Sequence, residues 1–188
     1  KGKFDIVIHA ALDIEKKQNS LDTLSTCVIG TERILEFANF SKADDFLLTS
    51  SGAVYGSHPN EPTGLSEDSF IDRSVPLPSA YAEGKRISEQ LVLKAQSESK
   101  LKVKIARIYA QVGPYLPLDK HFAIGNFIYD ACFNREIKIL GDGSPIRSYM
   151  YAADLSIWLL SMIINKMSKS IYNIGGKEVL SIEDLAKR

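Results

Sequence analysis

Short apolar runs alternate with helix-length segments over residues 1–108. The run 4–8 is rich in β-branched side chains and nearly continuous, which is typical of a strand buried on both faces. Further strands are predicted at 46–49 and 103–108, and strands separated by helices favour a parallel α/β sheet with right-handed crossovers. Apolar residues recur at helical spacing over 20–40 and over 80–96, where one face carries Ile87, Leu91, Val92 and Ala95.

The pattern is less regular in the second part of the chain. It predicts a helix over 122–133, a strand over 137–140, a helix over 154–164 and a strand over 171–174. We interpret Asp154 as the cap of its helix and Trp158 as a core residue within that helix. Ser181, with Asp184 three residues later, is typical of a capping box that begins another helix.

Composition and charge argue against several classes of protein. Of the 188 residues, 45% are hydrophobic and 24% are charged, so a globular chain is expected. Lys+Arg and Asp+Glu are both 23, and this balance argues against nucleic acid or an anionic membrane as partner. The longest apolar run, 155–164, is about half of the roughly 20 residues that span a bilayer. Cys27 and Cys132 are too few for a disulfide framework, so we expect a reducing cytoplasm.

Tyr81 and Lys85 lie four residues apart in a predicted helix and therefore share a face. A free phenol has a pKa near 10 and is a poor base at neutral pH. A fixed ammonium group nearby favours the phenolate, so the pair is suited to acid–base chemistry. The alternative is an exposed helix on which the two side chains have no joint role.

Ser51 follows the predicted strand 46–49 in a turn rich in serine and glycine. Ligands of open parallel sheets bind beyond the carboxyl ends of the strands, so this hydroxyl is placed to contact a substrate oxygen. The alternative is a serine that caps its own backbone. A serine at a strand end, followed on the next helix by the Tyr81–Lys85 pair, favours a catalytic set.

Five motifs occur in order along the chain. Together they resemble the extended short-chain dehydrogenase/reductases of the NAD-dependent epimerase/dehydratase type, which act on nucleotide sugars. The motifs are Val7–Ala11, Thr49–Gly56, Tyr81-x-x-x-Lys85, Arg107–Tyr109 with Gly113-Pro114, and Gly141–Gly143 with Arg147–Tyr149. The resemblance implies a Rossmann-like, doubly wound parallel sheet. Residues 1–112 would belong to the NAD(P)-binding domain, and 113–188 to a substrate-binding region interleaved with returning sheet elements.

The resemblance also implies roles for individual residues. Ser51, Tyr81 and Lys85 would be the catalytic set, with Tyr81 as the acid–base group and Lys85 also holding the nicotinamide ribose. The small residues Ala10 and Ala11 would lie against the cofactor, which is NAD or NADP. Arg147 would bind the nucleotide diphosphate of the substrate, with an ion pair to Asp142 or Asp154 as the alternative, and Asn126 would also contact the nucleotide.

The sequence has three histidines, and they do not form a predicted metal site. We expect His9 to be a core residue hydrogen-bonded to the backbone, and His58 and His121 to be exposed loop residues near the substrate side, with assistance to catalysis as the alternative for these two. They are scattered and no carboxylate pair accompanies them at ligand spacing, so no metal site is expected.

The chain departs from the family pattern at several positions. The glycine-rich turn G-x-x-G-x-x-G does not occur, so we interpret the chain as a fragment that opens at the fourth strand of the family sheet. Gly52-Ala53 stands where 4,6-dehydratases carry Asp-Glu, which argues against dehydration and against decarboxylases that keep the acidic residue. Cys27 and Ala110 stand where the family often has asparagine.

The sequence therefore predicts a cytoplasmic nucleotide-sugar enzyme that acts by hydride transfer at the sugar C4, as a 4-epimerase or a 4-keto reductase. The alternatives are a 4,6-dehydratase and a non-catalytic cofactor-binding protein of the same fold. By analogy with the family, a homodimer is expected through the helices that carry 24–38 and 87–95.

Overall fold

The computed structural model describes residues 2–12, 20–56, 64–69, 79–118, 120, 122–165 and 167–188. In chain order the elements are β1 Ile6–His9, α1 Ser20–Phe40, β2 Asp45–Ser51, a 3-10 helix Gly52–Tyr55, α2 Ala80–Glu98, β3 Lys102–Ile108, β4 Ala110–Val112, α3 Ala123–Cys132, β5 Ile146–Tyr151, α4 Ala152–Ile164, β6 Ile171–Ile174, β7 Val179–Ser181 and α5 Ile182–Lys187.

The chain divides into two compact units. The first contains the described residues of Lys1–Pro59, Leu65–Ile108 and Leu159–Asn173. The second contains those of Asn60–Gly64, Tyr109–Trp158 and Ile174–Arg188.

The main sheet has the strand order β1-β2-β3-β6, and β1, β2 and β3 run parallel. The predicted α/β fold with a parallel sheet is confirmed. Its register aligns His9 with Leu48 and Ser51 with Ile108, so the carboxyl ends of β1, β2 and β3 meet at one edge of the sheet. Apolar side chains from the three strands, α1 and α2 form the core, namely Val7, Ala38, Phe46, Leu48, Val92, Val103 and Ile105.

The second unit contains a smaller sheet with the order β4-β5-β7. β4 and β5 are parallel, whereas β5 and β7 are antiparallel. The predicted capping box is confirmed, because Ser181 Oγ accepts a hydrogen bond of 3.0 Å from the N–H of Asp184 at the start of α5.

One expectation for the first unit was wrong. β1 is not buried on both faces, since Ile6 and Ile8 are 42% and 43% exposed while Val7 is buried. The reason is that β1 is an edge strand of the described sheet and only its Val7 face packs into the core. On α2, Ile87 is exposed, whereas the charged Lys85 and Glu89 are buried. Polar partners on β2 and β3 stabilise these buried charged groups, because Lys85 donates a hydrogen bond to the Thr49 carbonyl and Glu89 accepts one from Arg107.

The second part of the chain also differs from the pattern. Residues 137–140 form no strand, because three apolar positions without a pairing partner do not make one. α4 begins at Ala152, so Asp154 lies within its first turn and does not cap it. Trp158 is 46% exposed and is not a core residue.

Candidate active site

The end of β2 and the start of α2 bring Ser51 and Tyr81 together. β2 ends at Ser51, and Ser79 caps α2 by accepting a hydrogen bond of 3.1 Å from the N–H of Ala82. The Ser51 and Tyr81 hydroxyls are hydrogen-bonded. Ser51 Oγ also accepts from the N–H of Ala53 at 3.2 Å, so it caps the 3-10 helix as well. One side chain therefore fixes the turn and holds the phenol.

Lys85 lies one helical turn after Tyr81 and is 7% exposed. Its Nζ donates a hydrogen bond of 2.7 Å to the carbonyl of Thr49 and lies 5.9 Å from the centroid of the Tyr81 ring. Burial lowers the pKa of the Lys85 ammonium group, while the nearby Cys27 and Glu89 oppose that shift. The lysine thus holds the backbone of β2 two residues before Ser51.

The Tyr81 pKa is shifted in the direction opposite to our expectation. Burial raises the pKa of the phenol, and the hydrogen bond from Ser51 opposes this shift because it favours the phenolate. Cys27 nearby raises the Tyr81 pKa further. The expected lowering by Lys85 is not found, because the phenol loses hydration while the Lys85 ammonium group is directed at the Thr49 carbonyl. Tyr81 is therefore a protonated phenol at neutral pH.

His9 is buried at the end of β1, as expected, but its hydrogen bond is not to the backbone. Its Nε2 lies 3.2 Å from Thr31 Oγ1, and its Nδ1 has no partner among the described residues. Burial lowers the pKa of His9, and the Lys85 charge lowers it further. The ring is neutral at pH 7 and lies near the Lys85 ammonium group.

Ala10 and Ala11 follow β1 directly and are exposed. They lie at the same edge as Ser51, since Thr49 Oγ1 donates a hydrogen bond of 3.2 Å to the carbonyl of His9. Small side chains at a strand end allow a ligand to approach the backbone closely, and Lys85 supplies ammonium donors at this edge. The residues present therefore fit a dinucleotide at this place.

The two predicted substrate residues belong to the second unit. Asn126 is half-buried on α3, and Arg147 is exposed on β5. Arg147 Nη1 donates to the carbonyl of Ile146 at 2.8 Å. The alternative ion pair with Asp142 or Asp154 is not found among the described residues, and Asp142 accepts hydrogen bonds from Ser144 instead. The Arg147 guanidinium group is thus available to an anion.

Sequence reasoning missed a buried charged pair beside Ser51. Glu89 and Arg107 are 3% and 5% exposed, and Arg107 Nη2 donates to Glu89 Oε2 at 2.7 Å. Ser50 Oγ donates to Glu89 Oε1 at 2.5 Å. The signal was present in the spacing, because Glu89 follows Lys85 by four residues and so shares its helix face.

Other predicted residues cannot be placed. His58 and His121 lie outside the described residues. Within the described ranges, no three His, Cys, Asp or Glu side chains are grouped closely enough to hold a metal ion. The described helices are all too short or too polar to cross a membrane.

A family model, the NAD dependent epimerase/dehydratase family, matches residues 1–175. The chain belongs to this family. The resemblance drawn from the five motifs is therefore confirmed. The family is NAD-dependent, which agrees with the nicotinamide cofactor predicted from the motifs.

Curated relatives of the chain include UDP-glucuronic acid decarboxylases. UDP-glucuronic acid decarboxylase 1 of Arabidopsis thaliana is 31% identical over 97% of this chain and 42% of its own length. A UDP-glucuronic acid decarboxylase 1 of Xenopus tropicalis is 28% identical over 90% of the chain and 39% of its own length. The chain thus spans about two fifths of the length of these curated relatives.

Solved structures of the family share the fold. UDP-glucuronic acid 4-epimerase from Bacillus cereus, in complex with UDP-glucuronic acid and NAD, has a TM-score of 0.77 and 25% identity, and the match covers 97% of this chain and 59% of the epimerase. dTDP-glucose 4,6-dehydratase from Bacillus anthracis, in complex with NAD, has a TM-score of 0.80 and 21% identity over 97% and 55% of the two chains. At 21% identity, the likeness to the dehydratase shows only that the two chains share a fold.

Proposed function

We propose that the protein carrying this chain converts a nucleotide-diphosphate sugar by hydride transfer at the sugar C4, as a 4-epimerase or a 4-keto reductase using NAD or NADP. The observation that supports this is the hydrogen-bonded Ser51–Tyr81 pair beside the buried Lys85. It provides an acid–base group, a hydroxyl for the reacting oxygen and a cation at one sheet edge. The nicotinamide, when bound, accepts or supplies the hydride at C4.

Tyr81 carries the proton in this proposal. Its raised pKa keeps the phenol protonated, which suits donation of a proton to a C4 oxygen in the reductase reaction. In the epimerase reaction the phenol oxygen first takes the C4 hydroxyl proton and later returns it. The Ser51 hydrogen bond favours the phenolate, so the base step depends on Ser51 more than the acid step does.

The remaining predicted residues would bind and orient the ligands. Ala10, Ala11 and Lys85 would hold the cofactor at the carboxyl edge of the main sheet. Asn126 and Arg147 would bind the nucleotide-diphosphate part of the substrate. The planar guanidinium group of Arg147 suits this role because it meets phosphate oxygens in pairs.

A second candidate activity is decarboxylation of a nucleotide-linked uronic acid. The curated relatives at 30–31% identity favour it, since they are UDP-glucuronic acid decarboxylases. The 3-10 helix after Ser51 argues against it, because Gly52 and Ala53 provide no acidic side chain there. Incubation with UDP-glucuronic acid and UDP-glucose separates the activities: CO₂ release indicates decarboxylation, redox-neutral conversion to an epimer indicates epimerisation, and stoichiometric NADPH consumption with a 4-keto sugar indicates reduction.

The role of Tyr81 is tested by Tyr81→Phe in the protein that carries this chain. Loss of the phenolic proton is expected to lower kcat by about 100-fold or more, since general acid–base catalysis contributes that much. Nucleotide binding, measured by calorimetry, is expected to be unchanged. Tyr115→Phe is the matched control, because Tyr115 is fully exposed. Near-normal turnover of Tyr81→Phe would refute the proposed mechanism.

A further inference from the structure

Three residues of α2 hold the strand end that carries Ser51. Lys85 Nζ donates to the carbonyl of Thr49, and Arg86 Nε donates to the carbonyl of Val54 at 2.6 Å. Between these two contacts, Glu89 accepts from the hydroxyl of Ser50 at 2.5 Å. Ser51 is therefore bracketed on both sides by contacts from the helix that carries Tyr81.

Glu89 is itself held by Arg107 of β3. Arg107 Nε donates to Glu89 Oε1 at 3.0 Å and Arg107 Nη2 to Oε2 at 2.7 Å, which is a bidentate contact. The other side of the guanidinium group is also occupied, because Arg107 Nη1 donates to the Tyr55 hydroxyl at 2.8 Å and to the carbonyl of Glu67 at 3.1 Å. The Glu89 carboxylate, which accepts the hydrogen bond from the Ser50 hydroxyl, thus has one fixed orientation.

A buried ion pair of this kind is weak evidence for stability. Apolar residues of similar volume often replace such a pair without loss of stability, because both charges must be removed from water. What the pair supplies is a defined geometry for the groups it contacts. Here one of those groups is Ser50, the residue directly before Ser51.

We propose that Glu89, held by Arg107, is a positioning residue that fixes Ser50 and thereby orients the Ser51 hydroxyl toward Tyr81. The consequence for turnover rests on the proposed function. The consequence for the rigidity of the strand end does not. The two can therefore be measured separately in the protein that carries this chain.

Ser50→Ala is the first test variant, because it removes the contact to Glu89 while the ion pair stays intact. Hydrogen exchange of the Ala53 amide is the structural readout, since this N–H donates to Ser51 Oγ. We expect that exchange to accelerate about 10-fold or more. The amide of Ile105, which donates to the Ser170 carbonyl, is expected to be unchanged. Ser41→Ala is the matched control, because Ser41 is equally buried at 4% and its hydroxyl bonds the carbonyl of Ala38.

The kinetic readout separates positioning from a purely structural role. Misplacement of Ser51 is expected to lower kcat about 10-fold for Ser50→Ala and to leave KM for the nucleotide sugar within about 2-fold. Glu89→Gln is expected to show both effects at least as strongly, and Ser41→Ala neither.

The outcomes are distinct. Unchanged Ala53 exchange in Ser50→Ala overturns the proposal, as does faster exchange with unchanged kcat. If the wild-type protein converts no nucleotide sugar, the proposed function fails, and the exchange data alone then decide whether Glu89 fixes the strand end. Faster Ala53 exchange together with a fall in kcat at constant KM supports the proposal.

Discussion

At the scale of single residues, His9 makes the site sensitive to acid. The pKa of His9 lies below its ordinary 6.5 because the ring is buried and faces the Lys85 ammonium group. The folded state therefore binds fewer protons than the unfolded chain in this pH range. The stability that neutral His9 contributes is present above pH 6.5 and is lost as the pH falls through the folded-state pKa.

We predict that the free energy of unfolding decreases between about pH 7.5 and pH 5 more in the wild-type protein than in His9→Gln. Glutamine keeps a polar group near Thr31, the partner of His9 Nε2, but does not titrate. Urea unfolding at both pH values measures the difference. An equal decrease in the two proteins would show that His9 contributes nothing to the acid dependence.

The catalytic candidates could be found from the sequence because the helix period fixes which side chains share a face. The spacing of Tyr81 and Lys85 placed both on one face of α2, and the strand before Ser51 placed it at the sheet edge. The direction of the Tyr81 pKa shift could not be found this way. It depends on how deeply the phenol is buried and on where the Lys85 ammonium group points, and neither is encoded in spacing.

At the scale of elements, Gly84 sets how closely α1 and α2 approach. A Cβ at this position would lie 2.7 Å from Cys27 Cβ and 3.0 Å from Cys27 Sγ. Gly84→Ala is expected to lower the free energy of unfolding by about 1–2 kcal/mol, since the strain of overpacking exceeds the gain in helix propensity. Turnover is expected to fall as well, because Tyr81 and Lys85 flank this position on the same helix.

Gly30→Ala is the control, because it is also a helix glycine and a Cβ there meets nothing within 4 Å. This variant is expected to be about 0.5–1 kcal/mol more stable than the wild-type protein. Urea unfolding and kcat are measured for both variants. A Gly84→Ala protein as stable as Gly30→Ala would contradict the close approach of the two helices.

Helices with a clear apolar period could be predicted from the sequence, whereas strands that depend on pairing with other strands could not. α1 occupies the predicted Ser20–Phe40, because its apolar residues recur at the period of a helix. β5 and β7 were missed because Arg147 and Ser148 interrupt the apolar pattern, and these strands exist only through their pairing with each other and with β4. The burial of Lys85 and Glu89 on α2 could not be predicted from an apolar period, because their partners Thr49 and Arg107 are distant in sequence.

At the scale of the whole molecule, the outer surface of α1 and α2 favours self-association. Large apolar side chains are exposed there, namely Leu21, Ile29, Phe37 and Phe40 on α1 and Ile87 on α2. Exposed large apolar side chains on adjacent helices are a feature of interfaces between subunits, and soluble oligomers are most often symmetric dimers. We propose that two copies of the protein pair through these helices.

Ile87→Glu tests this proposal. A carboxylate within an apolar interface loses its hydration on association, so we predict that the dimer dissociation constant rises about 10-fold or more. Gln90→Glu is the matched control, because it adds the same charge at an exposed position of the same helix. Sedimentation velocity over a range of concentrations measures both. A wild-type protein that remains monomeric at all concentrations, or an Ile87→Glu dimer as tight as the wild type, would refute pairing through α1 and α2.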